Sequence, residues 1–179
     1  MAEKQAPTIR LKDVLVGLLI AIAWCLATSY VITETWTWGY RGKYTNWRRY
    51  IPRKELVLTE EQLSLYDGTV PHKPTYIAID GDVFDVSQGR SFYGPGAGYH
   101  HFAGRDAARA YVTGCFQTHL THDLRGLSDD ELEGVRRWKD FYGNHHKYFR
   151  VGKVLHPPIN PSTPIPPPCQ QAIPQKPSS

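Results

Sequence analysis

With 179 residues, a net charge of +4, 41% hydrophobic and 21% charged residues, the chain has room for about one globular domain plus appendages. The basic excess does not lie on a recognition helix. It collects in Arg41, Lys43, Arg48, Arg49, Arg53 and Lys54, directly after an apolar run, so nucleic acid is set aside as a partner and lipid headgroups are favoured. Three cysteines (Cys25, Cys115, Cys169) without Cys-x-x-Cys or Cys/His spacing make neither a disulfide framework nor a zinc site, and a reducing, cytosol-facing domain is the simplest reading.

Residues 14–32 read VLVGLLIAIAWCLATSYVI without a charge. As a helix they extend about 28 Å, close to the ~30 Å hydrocarbon core of a bilayer, and predict one transmembrane helix. The run is longer than the ~7–15 residues of a signal-peptide core and lacks a small-x-small cleavage site, so the anchor is retained. Residues 1–13 form a short N-terminal segment carrying only Lys4, Arg10 and Lys12 as basic side chains, whereas 33–57 is a linker in which Trp36, Trp38, Tyr40, Tyr44, Trp47 and Tyr50 interleave with Arg and Lys. Aromatic rings of this kind settle at the membrane interface, and the charge asymmetry puts the larger, C-terminal part in the cytosol. The absence of an Asn-x-Ser/Thr sequon with a permitted middle residue is compatible with that side.

A folded domain is expected over 58–156. Thr59-Glu60-Glu61-Gln62 is a capping box that opens a helix to about residue 65. Residues 75–79, Asp80-Gly81 and 82–86 predict a β-hairpin around a type I′ turn. An alanine-rich helix is predicted over 103–112. A second capping box, Ser128 to Glu131, opens a helix that turns Leu132, Val135 and Trp138 to the core, and 151–155 is a closing strand. The tail, 157–179, is so rich in proline that polyproline II or disorder is expected.

Between the hairpin and the alanine-rich helix lies a glycine-rich loop. Gly94-Pro95-Gly96-Ala97-Gly98 lacks dinucleotide or P-loop spacing, and Pro95 has no amide donor, so it is not a phosphate cradle. The loop leads into Tyr99-His100-His101-Phe102-Ala103-Gly104-Arg105-Asp106-Ala107. Together with the 82–86 strand, Arg90, Phe92-Tyr93-Gly94-Pro95, Leu127-Ser128, Trp138, Lys147-Tyr148 and Val151-Gly152-Lys153, this block resembles the membrane-associated progesterone receptor family, a branch of the cytochrome b5-like fold. The resemblance covers roughly residues 58–155.

It implies an α+β domain, a short sheet with helices bracketing a haem crevice, that binds haem b. Tyr99 would be the axial ligand, with Tyr93, Lys147 and Tyr148 lining the pocket. The chemistry is compatible: tyrosinate is an established haem ligand, and a phenol of pKa ~10 loses its proton to the metal. The His-Pro-Gly-Gly loop of the bis-histidine branch is missing, but His100 or His101 could take the place of Tyr99. The resemblance further implies an endoplasmic reticulum membrane protein that is not itself an enzyme. It would support cytochrome P450 enzymes in sterol synthesis as partner or haem donor, with a sterol ligand and a haem-mediated homodimer as further expectations. A histidine-ligated electron carrier and a haem-free steroid- or lipid-binding adaptor are the alternatives. No nucleophile–base arrangement stands out.

Overall fold

A computed structural model describes residues 10–40, 43–52 and 54–169. Lys4, Arg41, Arg53 and the end of the tail, 170–179, lie outside the described residues. The chain divides into two compact units, Met1–Arg41 and Gly42–Ser179.

The first unit is built on helix α1, Leu11–Thr33, long and apolar enough to cross a membrane. Its apolar side chains are exposed almost throughout, with Val31 81% and Trp24 71% accessible, which is the pattern of a helix meant for a hydrocarbon solvent. Its last turn has no basic side chain. The terminus is closed instead by Ser29, whose buried hydroxyl donates to the Thr35 carbonyl (2.7 Å) and accepts from the Trp38 amide (2.6 Å).

The second unit holds a four-stranded sheet. Its strands are β1 (Leu56–Thr59), β2 (Tyr76–Ile79), β3 (Asp82–Asp85) and β4 (Phe149–Leu155), in the order β1-β4-β3-β2. β2 and β3 form the expected antiparallel hairpin, with Ile77 opposite Phe84 and Ala78 opposite Val83. Asp80 and Gly81 both have positive φ (46° and 80°), as a type I′ turn requires. β4 runs antiparallel to β3 and parallel to β1, so the first and last strands of the domain pair at one side of the sheet.

Strand alternation divides the core. Ile77, Ile79, Phe84 and Val86 face one side, with Tyr93, Phe102, Val135, Tyr142 and Tyr148. Tyr76, Ala78 and Val83 face the other, with Leu58, Val154 and Leu63 of helix α2 (Glu60–Ser64). Both capping boxes form: Thr59 with Gln62 at α2, and Ser128 with Glu131 at helix α5, which spans Asp129–Asn144.

Three sequence expectations are corrected. The alanine-rich helix does not start at residue 103; after the short helix α3 (Arg90–Tyr93), helix α4 is only Ala108–Thr113. Gly104 turns the chain at φ +73°, where a Cβ would meet the Ser64 carbonyl oxygen at 3.0 Å. Asp106 is then committed to the hairpin: its carboxylate accepts from the amides of Asp80 (3.1 Å) and Gly81 (2.7 Å) as well as from Ala108 (3.2 Å). The acid therefore does more than face a helix dipole, because it ties the start of α4 to the I′ turn.

The tail is also more ordered than its proline content suggests, as far as residue 169. Buried Arg109 donates to the Pro166 carbonyl (3.2 Å), buried His119 pairs with the Pro167 carbonyl (2.8 Å), and Arg125 donates to the Thr163 carbonyl (3.3 Å). Proline lacks a donor but keeps its acceptor, so an extended proline run suits a surface lined with cationic donors. Cys115 and Cys169 are joined by a disulfide, Cα to Cα 5.7 Å, which corrects the expectation that the cysteines are unpaired. Among the described residues Cys25, in α1, is free.

Candidate functional site: an aromatic cleft

Helix α5, the 99–102 loop and the end of α4 enclose a cleft of about 430 Å³, within the range of small-molecule sites. Its wall is almost wholly aromatic and includes Tyr93, Tyr99, Phe102, Tyr111, Tyr142 and Tyr148, with His145 at one end. Behind the wall Phe84 of the sheet packs against Tyr142, their ring centroids 5.7 Å apart.

The tyrosines are not equivalent. Tyr93 is 6% exposed and Tyr148 5%, their rings meeting edge-on at 5.9 Å. The Tyr93 hydroxyl is hydrogen-bonded to that of Tyr142 at 2.7 Å. Burial, reinforced by the neighbouring phenols, pushes both of these hydroxyls far above the ordinary phenol range, and burial also raises Tyr111 and Tyr148. All four stay neutral and keep their protons. The buried Tyr111 hydroxyl lies beside that of Tyr142 but outside good hydrogen-bond geometry.

Tyr99 stands apart. It is 49% exposed, at the mouth of the cleft, and touches Tyr93 and Phe102 at centroid distances of 6.2 Å each. Among the described residues nothing hydrogen-bonds its hydroxyl. A donor atom held on a structured loop, facing an apolar space and unspent on the protein, is suited to a ligand or metal.

The structure thus brings three of the four predicted site residues, Tyr93, Tyr99 and Tyr148, to one cleft. Lys147 is not with them: its side chain is exposed and outside the cleft wall, while its backbone amide donates to His145 Nδ1 at 3.1 Å. The two alternative ligands also face elsewhere. His100 Nδ1 lies 3.0 Å from the Tyr93 carbonyl, and the His101 ring is sandwiched against Phe102 (4.3 Å) and Phe116 (4.6 Å), outside the wall. Burial lowers the pKa of His101 and of His145, so both favour the neutral ring. Sequence reasoning missed Tyr111, Tyr142 and Phe141 and placed Trp138 in the core, whereas Trp138 is 38% exposed and lines the cleft. The i, i+3 and i+4 spacing of Trp138, Phe141 and Tyr142 along α5 was the available signal for three of them.

The chemistry of this donor set fits haem: a flat apolar slot, one accessible phenol and several neutral hydroxyl donors. The family description Cytochrome b5-like Heme/Steroid binding domain matches residues 59–155. The chain belongs to this cytochrome b5-like haem/steroid-binding family. It is 46% identical over 101 residues to neuferricin of Danio rerio, covering 56% of this chain and 37% of that protein. It is 45% identical over 100 residues to membrane-associated progesterone-binding protein 4 of Arabidopsis thaliana, covering 55% of this chain and 40% of that one. The resemblance to the membrane-associated progesterone receptor branch therefore holds, although the chain spans well under half the length of these curated relatives. A solved Arabidopsis thaliana structure described as having a cytochrome b5 like fold superimposes with a TM-score of 0.52 at 40% identity, covering 59% of this chain and 95% of its own.

Proposed function

We propose that this is a membrane-tethered haem-binding protein in which Tyr99, as a phenolate, supplies the axial ligand to the iron of haem b. The observation that carries this reading is the division between two adjacent tyrosines. Tyr93 is buried, neutral and spent on Tyr142, whereas Tyr99 is half exposed at the mouth of the same aromatic slot. Tyr93 and Tyr148 would flank the group and Tyr111 would offer it a hydroxyl; Lys147 is left out of the ligand set. Haem held by Tyr99 would favour the ferric state, which would suit carriage, signalling or delivery better than electron shuttling. A binding role rather than an enzymatic one follows from that reading, and so does face-to-face pairing of two haem-loaded chains.

The test is a titration of the full-length chain, in detergent micelles, with ferric haem, alongside sedimentation. Saturation at one haem per chain is expected, with a larger sedimenting mass once haem is bound. A mass that does not change with haem would remove the homodimer. The relatives named as steroid-binding suggest a second reading, in which a sterol fills the apolar slot and its hydroxyl meets Tyr111. Unsaturable haem uptake together with one-to-one cholesterol binding would establish that alternative.

Two opposing features bear on the side of the membrane. The basic linker favours a cytosolic domain, but a statistical charge asymmetry is weaker than a covalent bond that needs an oxidant to form. We therefore infer that the domain lies on an oxidising, non-cytosolic side, as in the lumen of the endoplasmic reticulum, a reading that the Cys115–Cys169 bridge supports. Support of cytochrome P450 enzymes in sterol synthesis, as partner or haem donor, belongs to the opposite orientation. Labelling with a membrane-impermeant thiol reagent, after reduction, in intact and permeabilised microsomes separates them. Protection of Cys115 and Cys169 until permeabilisation is expected; labelling in intact vesicles would restore the P450 role.

A further inference from the structure

Away from the cleft, four segments far apart in sequence converge on one polar point. Glu60 opens α2, His122 lies in the loop after α4, and His156 follows the last strand. Their ligand-type atoms all lie within 4.8 Å of one another. His156 Nδ1 is 2.5 Å and His122 Nδ1 3.3 Å from the same Glu60 oxygen, Oε1, and the two imidazoles stack at 3.8 Å. The other nitrogen of His156, Nε2, faces Asp106 Oδ2 at 2.9 Å. That carboxylate is 1% exposed and anchored by the backbone amides of the hairpin turn.

Proton accounting makes the arrangement informative. The buried Asp106 carboxylate, with every other contact a donor, requires a proton on His156 Nε2. In the neutral ring Nδ1 then carries a lone pair, and it points at a carboxylate oxygen. His122 aims its Nδ1 at the same oxygen, and its Nε2 is buried without a partner. Two stacked rings and one carboxylate share a focus that needs positive charge. A second proton on His156 would pair Nδ1 with Glu60 but leave the buried His122 Nε2 without a partner and set an imidazolium face to face against another imidazole.

We propose that Glu60, His122 and His156 form a binding site for a divalent transition metal of the zinc type, with Asp106 orienting His156 from behind. Two imidazoles and a carboxylate are a recurrent zinc donor set that leaves a fourth position for water. A carboxylate holding the remote N–H of a ligating histidine is the usual supporting arrangement, because it fixes the tautomer and makes the ring a better donor. None of the four residues lines the aromatic cleft, so the site is separate from the haem site and stands whether or not haem binds. Its placement gives it a mechanical role. A metal there would clip the start of α2, the 121–123 loop and the end of β4 to the turn of the hairpin, closing the two ends of the domain on each other.

The experiment uses the full-length chain in detergent, stripped with a chelator and titrated with Zn²⁺ in competition with a chromophoric chelator. Parallel Co²⁺ titration reports ligand type through its visible ligand-field bands. One Zn²⁺ per chain is expected, with Co²⁺ bands typical of low coordination number. His122→Ala, a substitution on a partly exposed loop, should abolish saturable binding while leaving haem uptake unchanged. Asp106→Asn should weaken binding about 10–100-fold. His72→Ala, at an exposed histidine elsewhere, should behave as the parent. No stoichiometric binding by the parent chain, or the same binding by His122→Ala, would overturn the proposal, the second outcome meaning adventitious capture by surface histidines only.

Discussion

The aromatic cleft and the docked tail solve opposite problems on one small domain. In the cleft, Tyr93, Tyr111, Tyr142 and Tyr148 keep their hydroxyls protonated by burying them, and the space between the rings stays open. Along the tail, Arg109, His119 and Arg125 are covered by peptide carbonyls from the 160–167 segment, and that surface closes. A site for a ligand needs unspent groups in a rigid wall; in the clamp most donors are spent, Arg109 Nε excepted. The difference teaches where to look for function, namely at Tyr99, whose polar atom the fold has not used.

Substitutions should separate the two regions. Cys115→Ser releases the 54-residue separation between the bridged cysteines and should lower stability by about 4 kcal/mol in chemical unfolding, without altering haem affinity. Arg109→Met removes a buried cation that donates to the carbonyls of Asp123 (3.1 Å), Arg125 (2.8 Å) and Pro166 (3.2 Å). A loss of about 2–3 kcal/mol is expected, with the tail becoming sensitive to protease at low enzyme ratios. Weakened haem binding in either variant would mean that clamp and cleft are coupled.

Tyr142→Phe acts on the other side of the comparison. Deleting the partner of the Tyr93 hydroxyl should cost about 1 kcal/mol of stability and leave the disulfide and tail intact. The smallest effect expected is on pH. The Arg125 side chain, hydrogen-bonded to Asp123, holds that carboxyl below the ordinary value of about 3.9. Its contribution is complete above that value and is lost as pH falls through the depressed folded-state pKa. Acid unfolding of Arg125→Gln should therefore lack a component below about pH 4 that the parent chain shows.

Much of the fold was legible because its signals are local. The Asp80-Gly81 hairpin, both capping boxes and the apolar helix each lie within a few consecutive residues. The start of α4 was not, because residues 103–107 have helical propensity that the anchoring of Asp106 to the hairpin turn overrides. The tail was misread for a similar reason. Composition reports the prolines at 157–168 but not the cationic donors up to 57 residues away that receive them. At the cleft, the family motif carried Tyr93, Tyr99 and Tyr148, whereas Tyr111 and Tyr142 belong to helices whose pattern alone says only that one face is buried. The cluster of Glu60, Asp106, His122 and His156 had no sequence signal at all, since its members are spread over nearly a hundred residues.

The claim that Tyr99 and not its neighbour ligates the iron is tested by the ferric absorption spectra of the haem-loaded full-length chain, Tyr99→Phe and Tyr93→Phe. A phenolate-to-iron charge-transfer band that disappears in Tyr99→Phe and persists in Tyr93→Phe is the predicted result. A phenolate band unchanged in Tyr99→Phe would contradict the account and pass the ligand to another tyrosine of the cleft.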